Sequence, residues 1–163
     1  MQDTEYIESL VKLRELYKEA VGSPSSARKL WKKPLPFDPD HPMITPYRAC
    51  ARALMALHSW NPFEKLQFLN ESMSLFQQAV TQQPRNPEIR FLRFSIQHNM
   101  PAFLLSNGDY KAEDKQVFLD EFEHYPDYYL EDYAPEMVDF FEKSKYCTPD
   151  EIEHLHQALA LHS

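Results

Sequence analysis

The sequence contains little glycine and little cysteine, and both shortages narrow the classes of fold and site. Only two of the 163 residues are glycine. Sheet-rich folds need glycine in hairpins, bulges and tight turns, so this scarcity favours helices. The two cysteines, Cys50 and Cys147, are far apart, and neither has a second cysteine at metal-ligand spacing. We therefore expect a buried side chain or an unpaired thiol at each position, with no disulfide framework.

Signatures of catalysis and of membrane insertion are also missing from the sequence. It has no glycine-rich phosphate loop, no GxSxG motif and no nucleophile with a recognisable base. No stretch approaches the ~20 apolar residues of a membrane span. The N-terminal MQDTEYIESL is acidic and amphipathic, without the apolar core of a signal peptide. We expect a cytoplasmic protein without a cofactor, and we favour a binding module over an enzyme.

Hydrophobic periodicity predicts an all-α fold of seven or eight helices, stacked as antiparallel hairpins in a single domain, 1–163. Thirteen prolines fall mostly between the periodic segments and mark their ends. The segment 37–46 is rich in proline and predicts an irregular crossing loop. A stretch within 126–145 is predicted to be helical with a break at Pro135. For the last helix, Thr148 is the expected N-cap and Glu151 its capping-box partner.

The centre of the chain is a helix, a proline-marked corner and a second helix. Apolar residues spaced three and four apart keep one face of the first helix hydrophobic, and they are Leu66, Leu69, Met73, Phe76 and Val80. Pro84 ends this helix. Asn86 is the expected N-cap of the next helix, with Pro87 at its first position, where a missing N–H costs nothing.

Three residues at this corner carry a resemblance to the tetratricopeptide repeat. Phe76, Ala79 and Pro84 match the aromatic, small residue and proline of its second half. The tryptophan, leucine, glycine and tyrosine positions of a following repeat fall on Arg90, Arg93, Phe94 and Gln97. The run EIRFLRFSIQ also resembles a bacterial all-helical family with no assigned activity. The resemblance implies a tetratricopeptide-like helix pair over 62–99 and a module that binds a peptide or protein segment.

Charge is distributed unevenly along the chain. Residues 109–153 carry 15 acidic side chains and four lysines, together with ten of the 22 aromatic residues. The net charge of the whole chain is −8, which disfavours contact with a nucleic-acid backbone. Basic residues are dense at one place only, at Arg28, Lys29, Lys32 and Lys33.

Two binding surfaces follow from these patterns. The first is a groove beside helices 63–82 and 88–99, lined by Gln77, Arg90, Arg93 and Gln97. The second is an acidic and aromatic surface that meets a basic partner, formed by Tyr128, Tyr129, Glu131 and Asp132.

Alternatives remain open for the arginines and for the function. Arg90 and Arg93 either bond acidic side chains within the fold or hold a carboxylate or phosphate in a groove. The enzyme or anion-binder hypothesis combines them with His98 and an acidic partner. A third hypothesis is self-association through an aromatic face of residues 125–146. For the oligomeric state we expect a monomer or a weak homodimer. His154 lies three residues from Glu151, but no HExxH pattern accompanies them, so we predict no metal site.

Overall fold

The computed structural model describes residues 2–32, 39–105 and 108–163. These residues form eight α-helices and two short 3₁₀ helices and contain no strand, so the all-α prediction is confirmed. None of the helices found there is long and apolar enough to cross a membrane. The helices are α1 (Gln2–Gly22), α2 (Pro24–Lys32), α3 (Ile44–His58), α4 (Pro62–Gln82), α5 (Pro87–His98), α6 (Lys111–Glu121), α7 (Ala134–Ser144) and α8 (Pro149–Leu161). The 3₁₀ helices are Ala102–Leu105 and Phe122–Tyr128.

The chain divides into two compact units, Met1–Pro84 and Arg85–Ser163. The division falls at the proline-marked corner between α4 and α5. The predicted single domain, 1–163, stays a prediction, because a compact unit need not be a separate domain.

Helices α3 and α4 form an antiparallel hairpin in the first unit. The Ser72 hydroxyl donates a 2.7 Å hydrogen bond to the carbonyl of Ala49. Ala49, Ala53 and Ala56 are buried, and such small side chains let two helix backbones approach closely. Helices α1 and α2 pack against α3 and complete this unit.

Both helix caps predicted at the corner and at α8 are confirmed. The Asn86 side chain accepts hydrogen bonds from the N–H groups of Glu88 and Ile89, and Pro87 begins α5. Thr148 and Glu151 form the reciprocal capping box of α8. These caps depend on residues within one helical turn, which is why the sequence alone predicts them.

Two predicted proline boundaries lie at slightly different positions in the structure. Helix α3 begins at Ile44 and contains Pro46, so the predicted loop 37–46 extends too far along the chain. Pro46 fits there because the first N–H groups of a helix have no partner within it. Of the predicted loop, residues 37 and 38 lie outside the described residues. The break predicted at Pro135 is present but lies a few residues earlier, over 129–133, and Pro135 belongs to the first turn of α7. Tyr129, left-handed with φ 56°, ends the preceding 3₁₀ helix.

Aromatic side chains form the core of the second unit. The rings of Phe94 and Phe118 lie 4.7 and 4.6 Å from the ring of Phe141, between centroids. Phe122 stacks on Phe118 at 4.9 Å, and all four side chains are fully buried. Burial of such large rings supplies most of the hydrophobic stabilisation available to a unit of this size.

Candidate functional site

A buried carboxylate joins α5 to α6 in the second unit. The Asp114 side chain is fully buried and accepts a 2.9 Å hydrogen bond from Nη1 of Arg90. It accepts two more from Arg93, from Nε and Nη2, both at 2.8 Å. Arg90 and Arg93 lie three residues apart, so both side chains leave the same face of α5. These are charge-assisted hydrogen bonds, the stronger class in proteins.

Further contacts hold the two arginines in place. Nη1 of Arg90 lies 3.1 Å from Oε1 of Glu113. The guanidinium carbon of Arg93 lies 4.1 Å from the centre of the Tyr110 ring. Burial raises the pKa of Asp114, and the hydrogen bonds from the two arginines only partly oppose this rise. The cluster is therefore costly to bury, and it is held together by multiple contacts.

Gln97 fixes the turn that leads into α6. Its amide nitrogen donates to the carbonyl of Gly108 at 2.9 Å, and its amide oxygen accepts from the N–H of Tyr110 at 2.8 Å. Gly108 has φ 142°, in a region that favours glycine. One side chain thus satisfies two backbone groups of the turn.

The structure brings together three of the four residues predicted to line the first groove. Arg90, Arg93 and Gln97 are buried on α5 and bonded within the second unit. Gln77 is exposed on α4, in the first unit. The acidic partner considered for the arginines is Asp114. The groove itself stays a prediction.

His98, the third member of the catalytic hypothesis, lies in a different environment from the arginine cluster. Its ring stacks on Phe94 at 5.8 Å and meets Phe140 edge-on at 5.7 Å. A histidine packed between aromatic rings is typical of a core position. The enzyme or anion-binder hypothesis stays a prediction.

The residues of the predicted acidic and aromatic surface lie around the end of the 3₁₀ helix Phe122–Tyr128. Tyr128 and Tyr129 are half-buried, whereas Glu131 and Asp132 are exposed. The Tyr128 hydroxyl lies 3.4 Å from Oε2 of Glu121, within hydrogen-bonding range. The tyrosines are thus partly used in packing, and the carboxylates face solvent.

An acidic cleft between α6 and α8 was not predicted. Its volume is about 430 Å³, and its lining includes four carboxylates and neither lysine nor arginine. The lining residues are Gln116, Leu119, Asp120, Glu123, Asp150, Glu151 and His154. The sequence showed that this region is acidic, but only the packing of α8 beside α6 brings residues thirty positions apart to one cleft.

The carboxylates of the cleft differ in their partners. Glu151 is bonded to Lys115 at 3.1 Å and to the N–H of Thr148 at 2.8 Å. Although burial raises its pKa, these bonds outweigh burial and lower it overall. Asp120 accepts a hydrogen bond from Gln116 at 2.9 Å, and its other oxygen lies 3.8 Å from Nη2 of Arg85. Within the described residues, Asp150 has neither a hydrogen-bond donor nor a cation at ion-pair distance to its side chain.

His154 and His156 of α8 each have a hydrogen-bonding neighbour in the second unit. Nε2 of His154 lies 3.2 Å from the carbonyl oxygen of Leu119, and Nε2 of His156 lies 3.2 Å from Oε2 of Glu142. In the part of the chain that the structure describes, no three His, Cys, Asp or Glu side chains are arranged to hold a metal ion.

No protein-family model, curated protein or solved structure matches the chain. The tetratricopeptide-like helix pair over 62–99 and the likeness of the EIRFLR segment therefore stay predictions. Function has to be argued from the residues and their geometry.

Proposed function

We propose that the protein is an interaction module whose acidic cleft between α6 and α8 binds a basic segment of a partner protein. The cleft is the observation that carries the proposal. It is open, it is lined by Asp120, Glu123, Asp150 and Glu151, and its lining contains no cation. A lysine or arginine side chain entering it would meet several oxygen acceptors at once.

The charge of the whole unit supports the same partner class. Residues 85–163 contain 16 acidic and seven basic side chains, a balance of −9. A field of one sign attracts a partner of the opposite sign and raises its rate of association. Among these carboxylates, Asp150 has no cation at ion-pair distance in the described residues. Asp120 lies 3.8 Å from Nη2 of Arg85, but both side chains are about half exposed and such a pair is weak. Glu151 is engaged by Lys115 and by its own helix cap.

The arginine cluster has no role in this proposal. Arg90 and Arg93 are bonded to Asp114, and a ligand carboxylate or phosphate would have to displace that buried side chain. We infer that they stabilise the packing of α5 on α6. The anion-binder hypothesis remains a second possibility to be tested, without a specific observation that favours it.

Titration with a short basic peptide tests the proposal. Calorimetry with hexalysine at low salt should give saturable binding, since charge-assisted hydrogen bonds are the main contribution. The Asp120→Asn/Asp150→Asn protein should bind about tenfold more weakly, as expected when one or two such contacts are lost.

A matched control separates the cleft from the general acidity of the unit. Glu131→Gln/Asp132→Asn removes the same charge from the other acidic surface, and we expect less than about a twofold change. Equal weakening by both double variants would mean diffuse charge attraction and would refute a defined site. Weakening by the control pair alone would move the site to the surface with Tyr128 and Tyr129.

A further inference from the structure

Helices α2 and α3 present a positive face in the first unit. The two helices carry five lysines and arginines and no aspartate or glutamate. The five are Arg28, Lys29, Lys32, Arg48 and Arg52. The helices pack against each other, and two arginines of α3 lie over the Trp31 ring of α2. This local positive charge contrasts with the net charge of −8 of the whole chain.

Two arginines of this face stack on the ring of Trp31. The guanidinium carbon of Arg52 lies 3.7 Å from the centre of the Trp31 ring, and that of Arg48 lies 4.4 Å from it. Arg52 also lies over the ring of Phe68, at 4.7 Å. Stacking on aromatic rings restricts the guanidinium groups and keeps their N–H groups in a fixed plane.

The cations of the face are poorly neutralised within the fold. Arg52 has an ion pair, with Nε at 2.6 Å from Oε2 of Glu71. Arg48 has no carboxylate at ion-pair distance among the described residues, and its buried Nε has no hydrogen-bond partner there. Arg28 and Lys32 are exposed on α2 and likewise have no ion pair in the described ranges. Unlike Arg93, Arg48 therefore contributes an unmatched charge.

We propose that this α2–α3 face binds a carboxylate-rich segment of a partner protein. Arg28 and Lys32 are four residues apart, as are Arg48 and Arg52, so each pair spans about 6 Å along its helix. Packed helix axes lie about 8–10 Å apart. This array is broader than one small anion can contact. Acidic side chains at alternate positions of an extended segment repeat every ~7 Å and match its spacing.

The charge of the rest of the protein favours a short acidic segment over a long polyanion. The net charge of the whole chain is −8, and that of its second unit is −9. A net negative charge of this size disfavours the binding of a long polyanion such as a nucleic acid or an anionic membrane. A short segment gains the local contacts without that penalty. The proposal does not depend on the acidic cleft; if both hold, the protein bridges a basic and an acidic partner.

Trp31 provides a reporter for the test. The chain has two tryptophans, and Trp60 is 91% exposed, so Trp60→Phe leaves Trp31 as the only tryptophan with little effect on the fold. Titrating this protein with hexaglutamate at low salt should change the Trp31 fluorescence in a saturable way. In the same background, Lys32→Gln/Arg48→Gln should weaken binding about tenfold, measured by calorimetry.

A control pair removes the same charge elsewhere in the first unit. Lys12→Gln/Lys65→Gln changes α1 and α4, and we expect less than about a twofold effect on hexaglutamate binding. Circular dichroism spectra of all variants should match, so that lost binding is separated from lost folding.

Four results would overturn the proposal. One is no saturable signal with hexaglutamate up to roughly 1 mM. A second is equally tight binding of inorganic phosphate with the same dependence on Arg48, which would assign a small-anion site. Tighter binding of oligothymidylate would assign a nucleic-acid site. A fourth is concentration-dependent self-association, detected by sedimentation and abolished by Lys32→Gln/Arg48→Gln, which would make a second copy the occupant.

Discussion

Replacing Asp114 by asparagine tests whether Arg90 and Arg93 serve the fold. The substitution keeps the size of the side chain but removes its charge. It also turns an NH₂ group toward guanidinium groups that now bond a carboxylate through three contacts of 2.8–2.9 Å. Arg93 is only 1% exposed, so water cannot replace the lost acceptor unless the packing opens.

The loss of unfolding free energy expected for Asp114→Asn depends on the burial of the cluster and on the contacts that the two arginines keep. Removing one member of a buried ion pair costs about 3–5 kcal/mol. Arg90 keeps Glu113, and Arg93 keeps the Tyr110 ring, so we expect the lower end, about 3 kcal/mol. Because domains are stable by only about 5–15 kcal/mol, this is a large fraction of the total. With a urea dependence of about 2 kcal/mol/M, the midpoint should fall by about 1.5 M.

Urea unfolding followed by far-UV circular dichroism measures this shift. Glu113→Gln is the matched control, because it removes a carboxylate from the same cluster at a side chain that is 58% exposed, and it should cost less than about 1 kcal/mol. Equal small costs for the two variants would refute the structural role of Asp114. Unchanged stability of Arg90→Leu together with loss of a ligand would show that the arginines are a binding site.

Four further predictions concern local features. Gly108→Ala should cost roughly 1–3 kcal/mol in urea unfolding, because φ is 142° and a Cβ would lie 2.8 Å from an aromatic ring. Burial raises the pKa of Cys147 to about 11, so its alkylation rate should rise about tenfold per pH unit from pH 7 to 9, whereas a plateau near pH 8.5 would contradict the burial. Thr148→Ala should cost about 1 kcal/mol in thermal unfolding, since it removes the acceptor of the Glu151 N–H. Folding lowers the pKa of Glu151, so its ionised side chain stabilises the fold above the ordinary glutamate pKa, and this stabilisation is lost as the pH falls through the lowered pKa. Glu151→Gln should therefore flatten the pH dependence of the free energy of unfolding near pH 3–5.

Local features of the fold could be predicted from the sequence because their causes are local. The caps at Asn86 and Thr148 depend on side chains that reach N–H groups two or three residues away. The end of α4 before Pro84 follows from the missing N–H of proline. The position of Pro46 inside α3 was missed because a proline fits the first turn as well as it fits a loop.

Long-range pairings could not be predicted in the same way. Asp114 is one of 15 acidic residues between positions 109 and 153, and no property of the sequence around it distinguishes it from the others. Its burial results from the packing of α6 on α5. The same holds for the cleft, where Asp120 and Asp150 come together through two helices that the sequence separates by thirty positions. Leu66 belongs to the predicted apolar stripe of α4, yet 47% of it is exposed.

Arg93 and Arg48 show why residue type alone does not assign a role. Both are arginines on amphipathic helices, and both lie over an aromatic ring, Tyr110 for one and Trp31 for the other. Arg93 has a buried carboxylate at 2.8 Å, so its charge is neutralised and its removal should mainly affect stability. Arg48 has no such carboxylate among the described residues, so no ion pair there neutralises its charge, and the proposal of an acidic partner rests on that charge. The distance to the nearest carboxylate, which only the tertiary structure gives, therefore separates the arginine expected to stabilise the fold from the one expected to bind.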